Sequence, residues 1–476
     1  MQGSKPRPGR GRKGTPIMSI RSTMAIGLCK GLHLASRLLH RGGTAMPGKA
    51  ALKVCPDLAA RLARDLDILL ITGTNGKTTS ARICEQALLE AGRDCLANRS
   101  GANLLSGIVT ELAVNSSLTG RSRKRWAVLE CDEAAARSAI GQLKPKVVLV
   151  TNLFRDQLDR YGEVTHTLEN IREGLRGAPD AQLVLNADCS LTSSLALDLP
   201  NPVSWYGVDA SGADPDAKPP QLSDALRCIR CKTEYTYDYM TYGHLGGFRC
   251  PNCGYARHRA DVAVTARPAL ELDGSRVSMD IRGQGVEVYV NLPAMYNIYN
   301  ALGSVAAVTA CGVGVPEAVR AVGSFQCGFG RMERFSLGAN GARVMLVKNP
   351  AGCNQVLSFL SAVSTDMELA ILLNDREADG TDISWIWDAE FETLLSLGDR
   401  LKRVTLSGTR AWEIYLRLKY AGLPTERMQV ERDYAALTAQ LAKAELPVFI
   451  MPTYTALLDF RPHLLRQCGG SEFWEG

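Results

Sequence analysis

The sequence contains no apolar run that reaches the roughly 18–20 residues of a membrane-spanning helix. It also lacks an export signal, because the apolar stretch around Met24–Leu28 is short and Lys30 interrupts it. Disulfide frameworks are typical of small secreted chains, so most of the 14 cysteines in this chain of 476 residues are expected to be reduced. These absences together predict a protein of the cytoplasm.

Acidic residues are missing from the start of the chain. The first 50 residues contain ten Lys or Arg and no Asp or Glu, and the first acid is Asp57. Because the whole chain has a formal net charge of +6, the remainder carries about −4, which offers no basic surface for nucleic acid. We expect residues 1–50 to form a basic segment that is disordered over about its first 20 residues. Two alternatives are a tail that contacts an anionic membrane surface and a translation start nearer Met18.

The length and pattern of the chain predict two αβ domains. Short apolar runs alternate with helical stretches, which is typical of a mostly parallel sheet. A Gly-rich turn near Leu337–Ala342 separates a central domain (51–337) from a smaller C-terminal αβ domain (338–476). The predicted strands are Asp67–Thr72, Trp126–Glu130, Lys146–Thr151 and Gln182–Asn186, then Arg343–Val347, Glu368–Leu373, Arg403–Leu406 and Val448–Met451.

The stretch GTNGKTT, at residues 73–79, indicates a nucleotide-binding loop. It lies between a predicted strand and a predicted helix, where backbone N–H groups point at phosphate oxygens. Lys77 would reach the β- and γ-phosphates, and Thr78 would bind Mg²⁺. The spacing is shorter than in the standard pattern, so a Gly-rich turn with a coincidental Lys-Thr-Thr is the alternative. The predicted phosphate-binding residues are Gly73, Thr74, Asn75, Gly76, Lys77, Thr78 and Thr79.

Carboxylates follow two of the predicted strands. Glu130 ends one strand, at the edge where ligands bind in open αβ sheets, and could hold Mg²⁺ beside the loop. Glu133 is the neighbouring candidate, and the acids of Asp156–Asp159 follow the next strand. Each of these acids could instead be a solvated loop residue.

Two Cys-x-x-Cys pairs form a module at residues 225–258. Four thiolates at this spacing are typical of tetrahedral Zn²⁺, and a closed four-thiolate site is structural because it has no position for a catalytic water. The complete set leaves His244 without a metal role. Two alternatives remain for this zinc-ribbon module: a redox role for one Cys-x-x-Cys pair, and binding of nucleic acid. The predicted zinc ligands are Cys228, Cys231, Cys250 and Cys253.

Several motifs together resemble the Mur ligases and the folylpolyglutamate synthases. They are GTNGKTT, the VLE strand, TNLFRDQLDRYGE, MYNIYNALGSVAA and GRMERF, in that order between about Leu69 and Phe335. Members of these families join a carboxylate to an amine through an acyl phosphate formed from ATP. The resemblance implies a P-loop ATPase domain of Mur ligase type with ATP and Mg²⁺ as cofactors. It also implies Lys77 and Thr78 as phosphate and Mg²⁺ contacts, Glu130 as a Mg²⁺ ligand, Asn297 and Asn300 near adenine, and Arg331 near the ribose or phosphates.

Three departures from the usual Mur ligase pattern matter. Gln157 stands where these ligases have a histidine, which puts a second metal site in doubt because an amide cannot do the work of an imidazole. Only about 70 residues precede the loop, too few for a domain that binds a UDP-sugar. Asn349 stands near the position of an aspartate in the C-terminal domain and cannot supply its charge.

The motifs KNPAGCNQ, LNDREADGTDISWIWD and MPTYTALL resemble an ammonia-using branch of the same family. This branch implies amidation of the α-carboxylate of D-glutamate in the lipid II stem peptide, at the inner face of the membrane, with a GatD-type glutaminase as partner. In the branch, a C-terminal aspartate completes the partner's Cys-His site, and Asp379, Asp382 and the more distant Asp388 are candidates. A tight Asp-Gly turn would explain the first two without that role. A stand-alone amino-acid ligase and an ATP-binding nucleic-acid module are the competing functions.

Overall fold

The structure is a computed structural model. It describes residues 19–38, 45–98, 102–155, 164–215, 224–326 and 330–468. Three predictions fall outside the described residues: the disorder of about the first 20 residues, of which 1–18 are not described, the effect of Gln157, and the acids of Asp156–Asp159. Within the described ranges, no helix is both long and apolar enough to cross a membrane.

The first and larger part of the chain folds around a ten-stranded sheet. Its strands, with the separate hairpin β7–β8, are β1 (Asp67–Thr72), β2 (Cys95–Ala97), β3 (Trp126–Glu130), β4 (Val147–Val150), β5 (Gln182–Asn186), β6 (Val203–Val208), β7 (Thr236–Met240), β8 (Gly246–Arg249), β9 (Val262–Val264), β10 (Ala269–Leu270), β11 (Ser275–Ile281) and β12 (Gln284–Val290). Its helices are α1 (Ile20–Leu38), α2 (Ala45–Val54), α3 (Leu58–Ala63), α4 (Lys77–Glu90), α5 (Leu105–Val114), α6 (Glu133–Leu143), α7 (Val164–Arg176), α8 (Ser190–Ser193), α9 (Met295–Ala310) and α10 (Val315–Ser324). Two 3-10 turns cover Ser194–Leu197 and Ala210–Gly212.

The order of the strands brings the predicted site together. The sheet runs β10-β11-β9-β6-β5-β4-β1-β3-β2, with β12 beside β11, and the pairs from β9 to β2 are parallel. The central strand β1 is buried on both faces, which its apolar run predicts. Ile71 pairs with Glu130, and Thr72 pairs with Val150. The turn after β1 therefore lies beside the carboxyl ends of β3 and β4.

The second part of the chain has a sheet and a core of its own. The sheet has six strands in the order β13-β14-β18-β15-β16-β17, and β13 is its antiparallel edge. The strands are β13 (Arg331–Phe335), β14 (Ala342–Met345), β15 (Met367–Leu372), β16 (Leu401–Ser407), β17 (Met428–Val430) and β18 (Val448–Pro452). The helices are α11 (Pro350–Ala362), α12 (Trp385–Asp388), α13 (Ala411–Tyr420), α14 (Tyr434–Leu441) and α15 (Tyr454–Cys468), with 3-10 segments at Phe391–Arg400 and Thr425–Arg427. The predicted αβ class is confirmed: a part with a mostly parallel sheet is followed along the chain by a smaller αβ part.

The four cysteines lie in an insertion between β6 and β9. Strands β7 and β8 form an antiparallel hairpin, and one Cys-x-x-Cys pair lies on each side of it. Tyr235, Phe248 and Tyr255 pack around the cysteines with ring centroids 5.3 to 6.3 Å apart. These three aromatic rings form a small core around the cysteines.

Candidate active site

The Gly-rich loop joins the buried strand β1 to helix α4, as predicted from GTNGKTT. Gly73 and Gly76 have φ angles of 121° and 85°, in the left-handed region that favours glycine. A side chain at Gly76 would also collide with the carboxamide of Asn300. Glycine is therefore needed at Gly76 both for the backbone conformation and for the approach of helix α9.

Replacing Gly76 with alanine should weaken ATP use at least about tenfold in kcat/KM, because the loop or Asn300 has to move. The matched control is Gly92→Ala. Gly92 has a φ of 68°, but a Cβ there would meet nothing within 4 Å. Both variants should lose roughly 1–2 kcal/mol of stability from the left-handed backbone. Equal ATP kinetics in the two variants would show that Asn300 does not constrain the loop.

Lys77 is buried at the first position of α4, among oxygen atoms. Its Nζ donates to the carbonyl of Gly73 at 2.5 Å, to that of Thr74 at 3.2 Å, and to the carboxylate of Glu133 at 2.8 Å. Burial alone lowers the pKa of Lys77, but the carboxylates of Glu133 and Asp132 outweigh burial and hold the pKa above its ordinary value. Lys77 therefore carries a permanent positive charge at the loop.

Thr78 and Glu130 form a pair of oxygen ligands beside the loop. The Thr78 hydroxyl donates to Glu130 Oε2 at 2.7 Å, and Glu130 is buried. Asn98 fixes the backbone of Glu130, because its side chain accepts from Glu130 N and donates to Glu130 O, both at 2.8 Å. A hydroxyl and a carboxylate on rigid elements suit Mg²⁺, which prefers oxygen ligands. These two residues fit the predicted magnesium site.

The loop opens into a cleft of about 450 Å³ between the two parts of the chain. One wall contains residues 74–79, Glu130, Asn297 and Asn300, and the other contains residues of the second part. Asn297 and Asn300 are hydrogen-bonded to each other at 3.2 Å. Arg331 begins strand β13, and its side chain lies outside the described part of the structure. The residues that the second part contributes include Gly330, Lys348, Gln355, Asp379, Thr453 and Tyr454.

Two asparagines that sequence reasoning did not assign to this role hold the loop. Asn152, which follows β4, accepts from the backbone N–H of Asn75 at 3.0 Å and donates to its carbonyl at 3.2 Å. Asn349, noted above only for the charge it lacks, donates to Asn75 Oδ1 at 3.2 Å and also caps helix α11. The second part of the chain is thereby hydrogen-bonded directly to the nucleotide loop.

The two candidate aspartates lie in different environments. Asp379 is buried, and its carboxylate accepts from the backbone N–H of Thr455 at 2.7 Å and from the Thr455 hydroxyl. It therefore caps the start of helix α15. Asp382 is exposed, and it accepts from Ser384 N at 2.8 Å. That backbone hydrogen bond lowers the pKa of Asp382, so its carboxylate stays ionised and accessible.

The four cysteine sulfur atoms converge as a zinc site requires. All four Sγ atoms lie within 4.8 Å of one another, and two of the pairs are 3.4 and 3.5 Å apart. Tetrahedral zinc with Zn–S bonds of about 2.3 Å needs sulfur atoms roughly 3.8 Å apart. Cys228 and Cys250 are buried against the aromatic rings. The residues therefore fit a structural Zn²⁺ ion held by Cys228, Cys231, Cys250 and Cys253.

Replacing Cys228 with serine should remove most of the bound zinc. It should also lower the melting temperature, by roughly 2–4 °C for each kcal/mol lost from the free energy of unfolding. Metal analysis and thermal unfolding measure the two effects. Cys468→Ser, a partly buried cysteine far along the chain, is the control and should keep the zinc. If activity fell while zinc content and melting temperature stayed normal, a purely structural role for the ribbon would be wrong.

The turn between β7 and β8, in the hairpin that carries the cysteines (the zinc hairpin), lies at the active-site cleft. Tyr242 lines the cleft, and its ring stacks on that of Phe154 with centroids 5.8 Å apart. The backbone N–H of Phe154 in turn donates to the Thr74 hydroxyl at 3.1 Å, within the nucleotide loop. A continuous set of contacts thus links the zinc hairpin to the loop through Tyr242 and Phe154.

A buried sulfur–imidazole pair holds the same turn in place. Cys189 Sγ lies 3.3 Å from His244 Nε2, and both side chains are fully buried. Burial alone would raise the pKa of Cys189 and lower that of His244, but the attraction between the two groups reverses both shifts. His244, predicted to have no metal role, therefore has a structural partner in Cys189.

Each of the two parts of the chain matches a known protein-domain family. Residues 71–242 match the Mur ligase middle domain, and residues 346–457 match the MurT ligase C-terminal domain. Among solved structures, a pseudomurein peptide ligase type C from Methanothermus fervidus superposes with a TM-score of 0.62 at 18% identity, over 84% of this chain and 79% of that one. MurF from Thermotoga maritima, solved in complex with ADP, superposes with a TM-score of 0.59 at 12% identity, over 88% and 85%. These likenesses show a Mur ligase fold.

Curated relatives match nearly the full length. The chain is 33% identical to the MurT subunit of the glutamine-hydrolyzing lipid II isoglutaminyl synthase from Streptococcus pneumoniae, over 93% of this chain and 97% of the relative. It is 30% identical to the corresponding subunit from Staphylococcus aureus, over 95% and 100%. A UDP-N-acetylmuramate–L-alanine ligase from Parasynechococcus marenigrum is 28% identical over 46% of this chain and 41% of that one. The identity at full length and the two domain matches show that the chain belongs to the MurT family of Mur ligases.

Proposed function

We propose that the protein is the synthetase subunit of a lipid II isoglutaminyl synthase. It uses ATP and ammonia to amidate the α-carboxylate of D-glutamate in the lipid II stem peptide. The observation that supports this most directly is the full-length similarity to subunits that carry this name. The cleft agrees with it, because Lys77, Thr78 and Glu130 face residues of the second part of the chain across a space that can hold a nucleotide.

The residues of the cleft suit transfer of a phosphoryl group. Lys77 would neutralise charge that builds on the phosphates, and the N–H groups at the start of α4 would bind phosphate oxygens. Thr78 and Glu130 would hold Mg²⁺, which supplies electrostatic stabilisation when bound. The substrate carboxylate would become an acyl phosphate, and attack by ammonia with loss of phosphate would give D-isoglutamine. Asn297, Asn300 and Arg331 are proposed for the nucleoside side of ATP.

The ammonia would come from a GatD-type glutaminase bound to the second part of the chain. Helix α13 exposes Trp412, Leu416 and Tyr420 at successive turns, with 46% to 73% of each residue accessible. Trp387, also exposed, packs against Tyr420 with ring centroids 5.8 Å apart. Exposed aromatic patches of this kind are typical of protein interfaces. Asp382 precedes Trp387 by only five residues, so a partner docked here would be close to it. Because it is exposed, Asp382 is the aspartate proposed to complete the partner's Cys-His site.

A stand-alone amino-acid ligase is the main competing function. It would need no partner and would add an amino acid, whereas the proposed enzyme adds ammonia. A nucleic-acid module would instead show binding that weakens steeply with salt. The cleft and the family both favour ligase chemistry, and lipid II as substrate implies work at the inner face of the membrane.

Amidation of lipid II with glutamine separates these functions. Three reactions should be compared: the chain alone, the chain with a glutaminase partner, and the chain with free ammonia. We expect amide formation in the last two. Addition of an amino acid by the chain alone, or no amide from ammonia, would contradict the proposal.

A further inference from the structure

Helix α1 has an apolar face that the active site does not use. Ile20, Met24, Leu28, Leu34 and Leu38 lie on one side of this helix, and 40% to 82% of each residue is exposed. At 3.6 residues per turn, these five positions fall within about 120° of arc. The same arc contains Gly31 and Ala35, which are also exposed, so the apolar stripe is continuous along all 19 residues.

The opposite face of α1 holds the helix against the rest of the protein. Ser22, Ala25, Ile26 and Cys29 are buried, and the helix packs on α2 and α5. The exposed stripe therefore belongs to a firmly seated helix. Monomeric soluble proteins rarely leave a continuous apolar surface of this length exposed, and such surfaces usually bind a partner or a membrane.

The charges around the stripe favour a membrane with anionic lipid. Helix α1 contains Arg21, Lys30 and Arg37 and no acidic residue. Arg21 and Arg37 are exposed, whereas Lys30 is partly buried and donates to the carbonyl of Val114. On the helical wheel these three basic residues flank the apolar stripe on its two sides. An apolar face bordered by Lys and Arg is typical of helices that lie in the headgroup region of a bilayer.

We propose that α1 docks the protein on an anionic lipid bilayer, with its apolar stripe among the headgroups and the exposed Arg21 and Arg37 against anionic phosphates. The helix would lie along the surface, in agreement with the finding that no described helix can cross a membrane. The docking rests on the proposed function in one respect: it would bring the cleft to a lipid-linked substrate. The binding itself depends only on α1.

Sedimentation with vesicles tests the docking without any activity measurement. The full chain should bind vesicles of phosphatidylcholine with 30 mol% phosphatidylglycerol (a test composition, about one anionic lipid in three) at least about tenfold more tightly than phosphatidylcholine alone. The variant M24E/L28E should bind the anionic vesicles at least about tenfold more weakly than the wild type. The matched control is Leu270→Glu, which adds a carboxylate at an exposed leucine in strand β10 and should bind like the wild type.

Activity then separates docking from catalysis. M24E/L28E should lose amidation of vesicle-embedded lipid II at least about tenfold and keep that of a short-chain, water-soluble analogue. If neither substrate is amidated by the wild type with ammonia, the proposed function fails while the vesicle result still stands. Equal vesicle binding by M24E/L28E and the wild type would overturn the docking proposal. A change from dimer to monomer, or loss of the glutaminase partner without loss of vesicle binding, would assign the stripe to a protein interface instead.

Discussion

Replacing Lys77 with alanine should lower amide formation at least about 10²–10³-fold, with glutamine or with free ammonia as the nitrogen source. Lys77 is the permanent cation of the nucleotide loop, and in the proposed mechanism both nitrogen sources depend on the same phosphoryl transfer. Steady-state kinetics with each source measure the effect. The loss should be equal in both, because ammonia enters only after the carboxylate has been activated.

The control for this variant concerns the buried carboxylate that Lys77 neutralises. Lys77→Ala leaves Glu133 buried without its ion-pair partner, which alone can cost about 3–5 kcal/mol of stability. The double variant Lys77→Met with Glu133→Gln removes both charges and keeps similar volumes, so the fold should be retained. It should be as inactive as Lys77→Ala while melting closer to the wild type. Recovery of activity in the double variant would contradict the role of Lys77.

Asp382→Asn should abolish amidation with glutamine and leave amidation with free ammonia within about twofold of the wild type. A neutral amide cannot stabilise the charge of a partner histidine, so glutamine hydrolysis would stop while the synthetase site stays intact. The wild-type carboxylate is exposed and ionised, as this role requires. The measurement compares the two nitrogen sources in the reconstituted complex.

Asp379→Asn is the informative companion, three residues earlier in the same loop. Its carboxylate accepts from Thr455 at the start of α15, so the substitution should lower the melting temperature and weaken both reactions together. If instead Asp379→Asn removed only the glutamine reaction and Asp382→Asn removed neither, the assignment of Asp382 to the partner's triad would be wrong.

Local patterns predicted the elements that carry the nucleotide loop. Strand β1 and strand β3 have the bounds that their apolar runs predict, and α4 follows the loop where a helix is predicted. These signals are local, because a buried parallel strand and a Gly-rich turn are each specified by neighbouring residues. The pairing of Ile71 with Glu130 then follows from the topology of a parallel sheet.

Long-range contacts could not be predicted in the same way. Asn152 lies 77 residues from Asn75 and is hydrogen-bonded to its backbone. Asn349 lies 274 residues from Asn75 and is hydrogen-bonded to its side chain. Asp379 and Asp382 are identical in residue type, and only the burial of one beneath α15 distinguishes them. Helix α1 was also missed, since two glycines within it weaken the helical pattern and its charge suggested only a basic tail.

The contact between the zinc hairpin and the cleft has a thermodynamic consequence. Tyr242 and Phe154 connect the ribbon to the loop that holds Thr74, so a nucleotide that orders the loop also favours the ordered hairpin. By linkage, zinc must then raise the apparent affinity for nucleotide by the same factor by which nucleotide raises the affinity for zinc.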